Sequence, residues 1–108
     1  MMKARQPVKP RGARSKREIY VFRLFVAGRE SNSSQALANL ARLCEAHIKG
    51  RYKIHTLDVL EDGDAAYRNH VLVTPTLMLI KPLPKVTLFG NLHDTRQVLA
   101  ALRLTGER

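Results

Sequence analysis

In VLVTPTLMLI, residues 71–80, a Thr-Pro pair stands at the entrance to an apolar run. Pro75 has no backbone N–H to donate to a ladder, so it must begin a strand rather than interrupt one. That strand covers 77–80, and its unbroken apolar character suits a position covered on both faces. A second run of the same kind, IYVFRLFVA at 19–27, is rich in β-branched and aromatic residues and ends at Gly28. It reads as a strand in the middle of a sheet. Arg23 is the charge that interrupts it, which places that residue near an edge or end, where a cation guards against unwanted strand pairing.

The flanking segments complete a domain. The polar turn 28–34, GRESNSS, offers Asn32 and Ser33 as N-caps for a helix. Leu37, Leu40, Ala41, Cys44, His47 and Ile48 then recur at helical spacing, and Gly50 supplies the stop. Residues 52–60 form a further strand through Ile54, Leu57 and Val59. Strand, helix and strand within about forty residues make a βαβ unit with parallel strands. Residues 61–64 are an acidic turn and 65–70 a short helix. Pro82 and Pro84 stiffen a turn into a fourth strand at 85–89, antiparallel to the third and ended by Gly90. Residues 95–104 close the chain as a helix, with Val98, Leu99 and Leu102 inward and His93 or Asp94 as its cap. The order β-α-β-(α)-β-β-α, with Thr-Pro entering the third strand, resembles the thioredoxin-like α/β fold, where a cis proline commonly occupies that point. Gly28, Thr74, Pro75 and Gly90 are then the fold-defining residues.

The 108 residues carry 19 Lys and Arg against nine Asp and Glu, a net charge of +10. Seven of the cations fall in 1–17, which has no acid, so the remainder is only mildly basic. Residues 1–17 include Pro7, Pro10 and Gly12 and little to bury. They are expected to form a disordered basic tail ahead of one domain at 18–108. A nucleic-acid-binding arm and a solubilising extension both fit that tail, but no aromatic interleaves its cations, so base stacking has no support there. No apolar run approaches the ~18 residues of a membrane span, and no secretory h-region is present. A single cysteine excludes an internal disulfide framework and a CxxC pair, and suits a reduced, cytoplasmic setting.

Few residues suggest chemistry. Cys44 lies beside Leu40 and Ile48 on the first helix, away from the 28–34 turn where a thioredoxin nucleophile would sit, and reads as a buried structural thiol. Ser31, Ser33 and Ser34 suit helix capping better than they suit a glutathione sulfur. His47, His55, His70 and His93 do not pair at metal-ligand spacing. Asp62 and Asp64 do not continue into a calcium-loop series, and no phosphate-binding glycine loop or Ser-His-Asp order occurs. No catalytic residue, metal or cofactor is expected.

Taken together, these residues resemble the KaiB family of circadian clock proteins. Tyr20 and Val21, LFVAG at 24–28, Asn32 and Ser33, Ala36 and Leu37, DVL at 58–60, TPTL at 74–77, Pro82, Pro84, Gly90, Leu92 and Asp94 keep the family's order and spacing over 19–104. The KaiB-like sensor domains of clock histidine kinases share much of this pattern. The resemblance implies a non-catalytic regulatory binding protein. Its partner would be a KaiC-type ATPase ring or a KaiB-related signalling protein, and its role the modulation of circadian or stress signalling. It also implies two folds: a tetrameric ground state with a different C-terminal half, and a monomeric thioredoxin-like state that binds the ring.

The docking surface expected from the resemblance is the second half of the domain. It comprises Asp62 and His70 on the short helix, the strand after Pro75, and the turn with Pro82, Pro84 and Lys85. Arg23 joins them at a basic position common in the family. Family members often carry Gly and Asp where Ala101 and Arg103 stand. Gly costs about 1 kcal/mol in a helix relative to Ala, and Arg near a helix C-terminus is favoured over Asp by several tenths. Both residues therefore bias the last segment toward helix, and the chain toward the monomeric thioredoxin-like state, by ~1–2 kcal/mol. Two other readings stay open: a thioredoxin-like thiol or glutathione-handling protein, and a nucleic-acid-binding accessory acting through the basic tail.

Overall fold

The computed structural model describes residues 18–104. The expected basic tail at 1–17 lies outside the described residues. β1 (Tyr20–Val26), α1 (Ser31–His47), β2 (Tyr52–Asp58), α2 (Gly63–Arg68), β3 (Thr76–Lys81), β4 (Val86–Phe89) and α3 (Thr95–Leu102) follow one another. The strands form one sheet in the order β2-β1-β3-β4. β1 and β2 are parallel, whereas β3 runs antiparallel to both β1 and β4. This is the thioredoxin-like α/β arrangement, with the Thr74–Pro75 peptide cis at the entrance to β3.

Alternate residues of the two central strands build the core. Tyr20, Phe22, Leu24 and Val26 of β1 and Leu77 and Leu79 of β3 form one buried cluster with Leu40, Leu43 and Cys44 of α1 and Val98 and Leu102 of α3. Phe25 is also fully buried, but strand alternation turns it to the opposite face, where α2 and its buried Ala65 lie. Arg23 corrects the expectation of an edge position. It sits mid-strand in a central strand, paired with His55 on one side and Met78 on the other. It is exposed because α2 is too short to cover that part of the sheet.

Several boundaries differ from the sequence pattern. α1 begins at Ser31 with Glu30 as N-cap, so neither Asn32 nor Ser33 caps it. Ser33 is instead buried in the first turn, where its hydroxyl accepts from the Ala27 N–H at 3.1 Å and donates to Glu30 Oε1 at 2.9 Å. The buried stripe of α1 runs through Ser33, Ala36, Leu40, Leu43 and Cys44. Leu37, expected inward, is 39% exposed, and His47 is exposed as well. Small Ala36 takes the tight contact with the sheet, and one residue of helical rotation carries Leu37 outward.

β2 stops at Asp58, short of residue 60, because the Asp58 carboxylate turns the chain. Its Oδ1 accepts from the Gly28 N–H at 3.0 Å and the Leu60 N–H at 2.9 Å. Gly28 itself has φ +55°, and a β-carbon there would stand 3.1 Å from Leu60 Cδ1, so the turn requires glycine. α2 starts at Gly63, earlier than expected, because Asp62 caps it by accepting from the Ala65 N–H at 3.1 Å. α3 is capped by Asp94, which accepts from the Gln97 N–H at 3.2 Å. It ends at Leu102, not at 104: Arg103 takes a left-handed conformation at φ +60° and gives its N–H to the Ala100 and Leu99 carbonyls. Arg103 therefore stands at the C-cap, just past the last helical residue, and not within the helix.

Leu40→Ala is expected to lose about 2–5 kcal/mol of unfolding free energy, whereas Leu37→Ala should change it by less than about 0.5 kcal/mol. Urea unfolding of the two variants checks the assigned face; equal losses would contradict it.

Candidate functional site

The antiparallel pairing of β1 and β3 divides the expected site residues between two ends of the sheet. Phe25 pairs with Thr76 and Thr76 with Phe89, so Gly28, Thr74, Pro75 and Gly90 gather at one end. Val21 pairs with Lys81, so Pro82, Pro84 and Lys85 lie at the other. At the first end the Gly90 N–H donates to the Pro75 carbonyl at 3.0 Å. Thr74 Oγ1 reaches Glu30 Oε1 at 3.4 Å, the same carboxylate that receives the Ser33 hydroxyl. Glu30 thus joins the β1–α1 turn to the approach of β3, a role that no sequence motif marked.

The α2 region gathers the other expected residues. Asp62 is occupied as the helix cap. Arg23 Nη1 donates to Asn69 Oδ1 at 3.2 Å, just before His70, which leaves the helix with φ +57°. Tyr67 on α2 is 84% exposed, and from His70 the chain returns to Thr74 with Leu72 92% exposed and Val73 exposed beside it. The sequence placed Leu72 and Val73 in a continuous apolar run but gave no sign that the run starts in solvent. An apolar ridge bordered by Arg68 and His70 is suited to protein contact.

The side chains nearest to thiol chemistry are each buried or hydrogen-bonded. Cys44 is buried in the core, and burial, then neighbouring Glu45, pushes its thiol up to about 12. Ser33 is buried with its hydroxyl committed to two partners. Tyr52 donates its hydroxyl to Glu45 at 2.6 Å, and that bond foremost raises its phenol to about 12. Among the described residues no three His, Cys, Asp or Glu side chains converge as metal ligands, and no helix is long and apolar enough to cross a membrane.

A family model described as the KaiB domain matches residues 23–104. The chain is 38% identical over 90 residues to the circadian clock oscillator protein KaiB of Synechococcus elongatus, covering 83% of this chain and 88% of that one. It is 38% identical over 93 residues to the protein of the same description from Prochlorococcus marinus, covering 86% and 80%. Among solved structures, chloroplastic thioredoxin z superposes with TM-score 0.67 at 20% identity, over 82% of this chain and 80% of that one. The N-terminal domain of Synechococcus elongatus SasA superposes with TM-score 0.66 at 20% identity, over 95% and 99%. The two structural likenesses show the fold.

At pH 8 a thiol with a pKa near 12 is ionised to the order of one part in ten thousand. The folded chain should therefore resist a disulfide reagent at that pH and label fully in urea. Folding raises the Cys44 pKa above its ordinary 9.0. The stability linked to that proton is then complete below pH 9 and lost as pH rises toward 12. Rapid labelling of the native chain at pH 8 would contradict this burial.

Proposed function

The chain belongs to the KaiB family, and from that membership we propose that it is a non-catalytic regulator that docks on a KaiC-type ATPase ring or a KaiB-related signalling protein and so modulates circadian or stress signalling. The observation that carries this reading is the exposed ridge of Tyr67, Leu72 and Val73 beside Thr74 and Pro75. Burying a large apolar side chain against a partner is favourable by about 1.5–3 kcal/mol, and such ridges serve as binding anchors. His70 borders the ridge, Arg23 is linked to it through Asn69, and Asp62 caps the helix that carries Tyr67. Pro82, Pro84 and Lys85, at the opposite end of the sheet, would serve a separate contact.

The proposal includes the resting state. In the thioredoxin-like form the ridge is presented by a single chain. Ala101 favours the helical final segment by about 1 kcal/mol over glycine, roughly fivefold in population between two nearly equal folds. A chain that already rests in the competent state binds without a conformational penalty. Monomeric binding in the cytoplasm follows from the same reading.

Binding of the full chain to the KaiC-type ATPase of its own organism tests this. Leu72→Asp should weaken affinity at least tenfold with an unchanged far-UV circular dichroism spectrum, and mixing should give complex without a minutes-long lag. Undiminished affinity of the variant would remove the ridge from the interface; a slow lag would remove the resting state.

A further inference from the structure

The face of the sheet opposite the core holds an open groove of about 840 Å³. Its apolar floor comes from Val21, Leu57 and Ile80, and its polar wall from Arg23, His55 and Arg68. Among the described residues no Asp or Glu lines it. Strand register explains the charge: Arg23 pairs with His55 and Val21 with Lys53, so the face that α2 leaves uncovered receives the cations of β1 and β2. The last residue of α2 adds Arg68.

Arg23 is held in position. Its Nη1 donates to Asn69 Oδ1 at 3.2 Å, and the Asn69 amide in turn donates to the Ala65 carbonyl at 2.7 Å. Asn69 is therefore a positioning residue. A guanidinium has five donors, and one so anchored loses less conformational freedom when it meets an anion.

We propose that this groove binds an organic phosphate of nucleotide size, with phosphate oxygens on Arg23 and Arg68 and the body of the ligand on Val21, Leu57 and Ile80. Phosphate is the anion whose geometry the guanidinium fork matches bidentately. Two arginines without a lining carboxylate suit a group with more than one negative charge. The volume lies in the roughly 300–1,000 Å³ range of small-molecule sites, far more than an inorganic ion fills. Among the described residues no Phe, Tyr or Trp lines the groove, so a single-stranded nucleic acid would lack the broad stacking platform it needs. The inference goes beyond the docking role; it shares Arg23 with it but depends on Arg68 and the groove floor.

The test is a titration of the full-length, isotope-labelled chain with ADP, pyrophosphate and adenosine at constant ionic strength, read residue by residue by NMR. ADP should give saturable shifts at the Val21, Leu57 and Asn69 amides and at the Arg23 and Arg68 side-chain Nε–H groups. Pyrophosphate should bind at least fivefold more weakly, and adenosine should shift nothing. Arg68→Gln, at an exposed helix end, should weaken ADP at least fivefold without affecting the fold, and Arg23→Gln should do the same. ADP-induced shifts confined to residues 1–17, an unchanged affinity in Arg68→Gln, or pyrophosphate binding as tightly as ADP would each overturn the proposal.

Discussion

β1 must be covered on both of its faces, and the chain provides unequal material for the two. Phe22 and Leu24 point one way and Phe25 the other, and all three are fully buried. Each such side chain contributes about 1.5–3 kcal/mol when withdrawn from water. α1 and α3 seal the first face with two apolar stripes. Among the described residues the second face has only the six residues of α2, which leave Arg23 uncovered at mid-strand. Both surfaces of interest follow from that asymmetry. The short helix returns to β3 through an exposed apolar ridge, and the uncovered half of the sheet becomes a basic groove.

Polar ties fix where the second half of the domain sits on the first. Asp58 joins the ends of β1 and β2 through the Gly28 and Leu60 amides. Glu30 links Ser33 to Thr74. On the other side of the core, Asn39 Nδ2 donates to the Asn91 carbonyl at 2.7 Å, and Asn91 Nδ2 donates to Gln35 Oε1 at 2.9 Å. The polar edge of α1 thereby holds the turn that leads into α3. A helical α3 and the location of Leu92 in the core are thus supported from α1 as well as by Val98 and Leu102.

The elements most legible in the sequence were those whose signals are local. The Thr-Pro entry to β3, the apolar runs of β1 and β3, the two-proline turn and the Asp94 cap each rest on a few adjacent residues. The local pattern misleads where a neighbour in space decides the outcome. Leu37 and Ala36 both fit helical spacing, and only the closeness of α1 to the sheet selects alanine for the core. Ser33 looks like a cap until its hydroxyl is claimed by Ala27 and Glu30. Arg23 reads as an edge residue because composition does not reveal that one face of a central strand stays open. Arg103 fits the helical pattern, yet the last turn closes one residue earlier. The site residues divided for the same reason: strand pairing, not proximity in sequence, sets Pro82 and Pro84 far from Pro75.

Both surfaces require that residues 95–102 remain helical in a single chain, because that arrangement leaves the ridge and the groove accessible. The most direct measurement is the set of backbone ¹³Cα secondary shifts across Thr95–Leu104, taken at low micromolar concentration together with rotational diffusion. Helix-type shifts through Leu102, a break at Arg103 and tumbling as a monomer are the predicted result. Extended-type shifts at 101–104 in a particle that tumbles as a tetramer would contradict it.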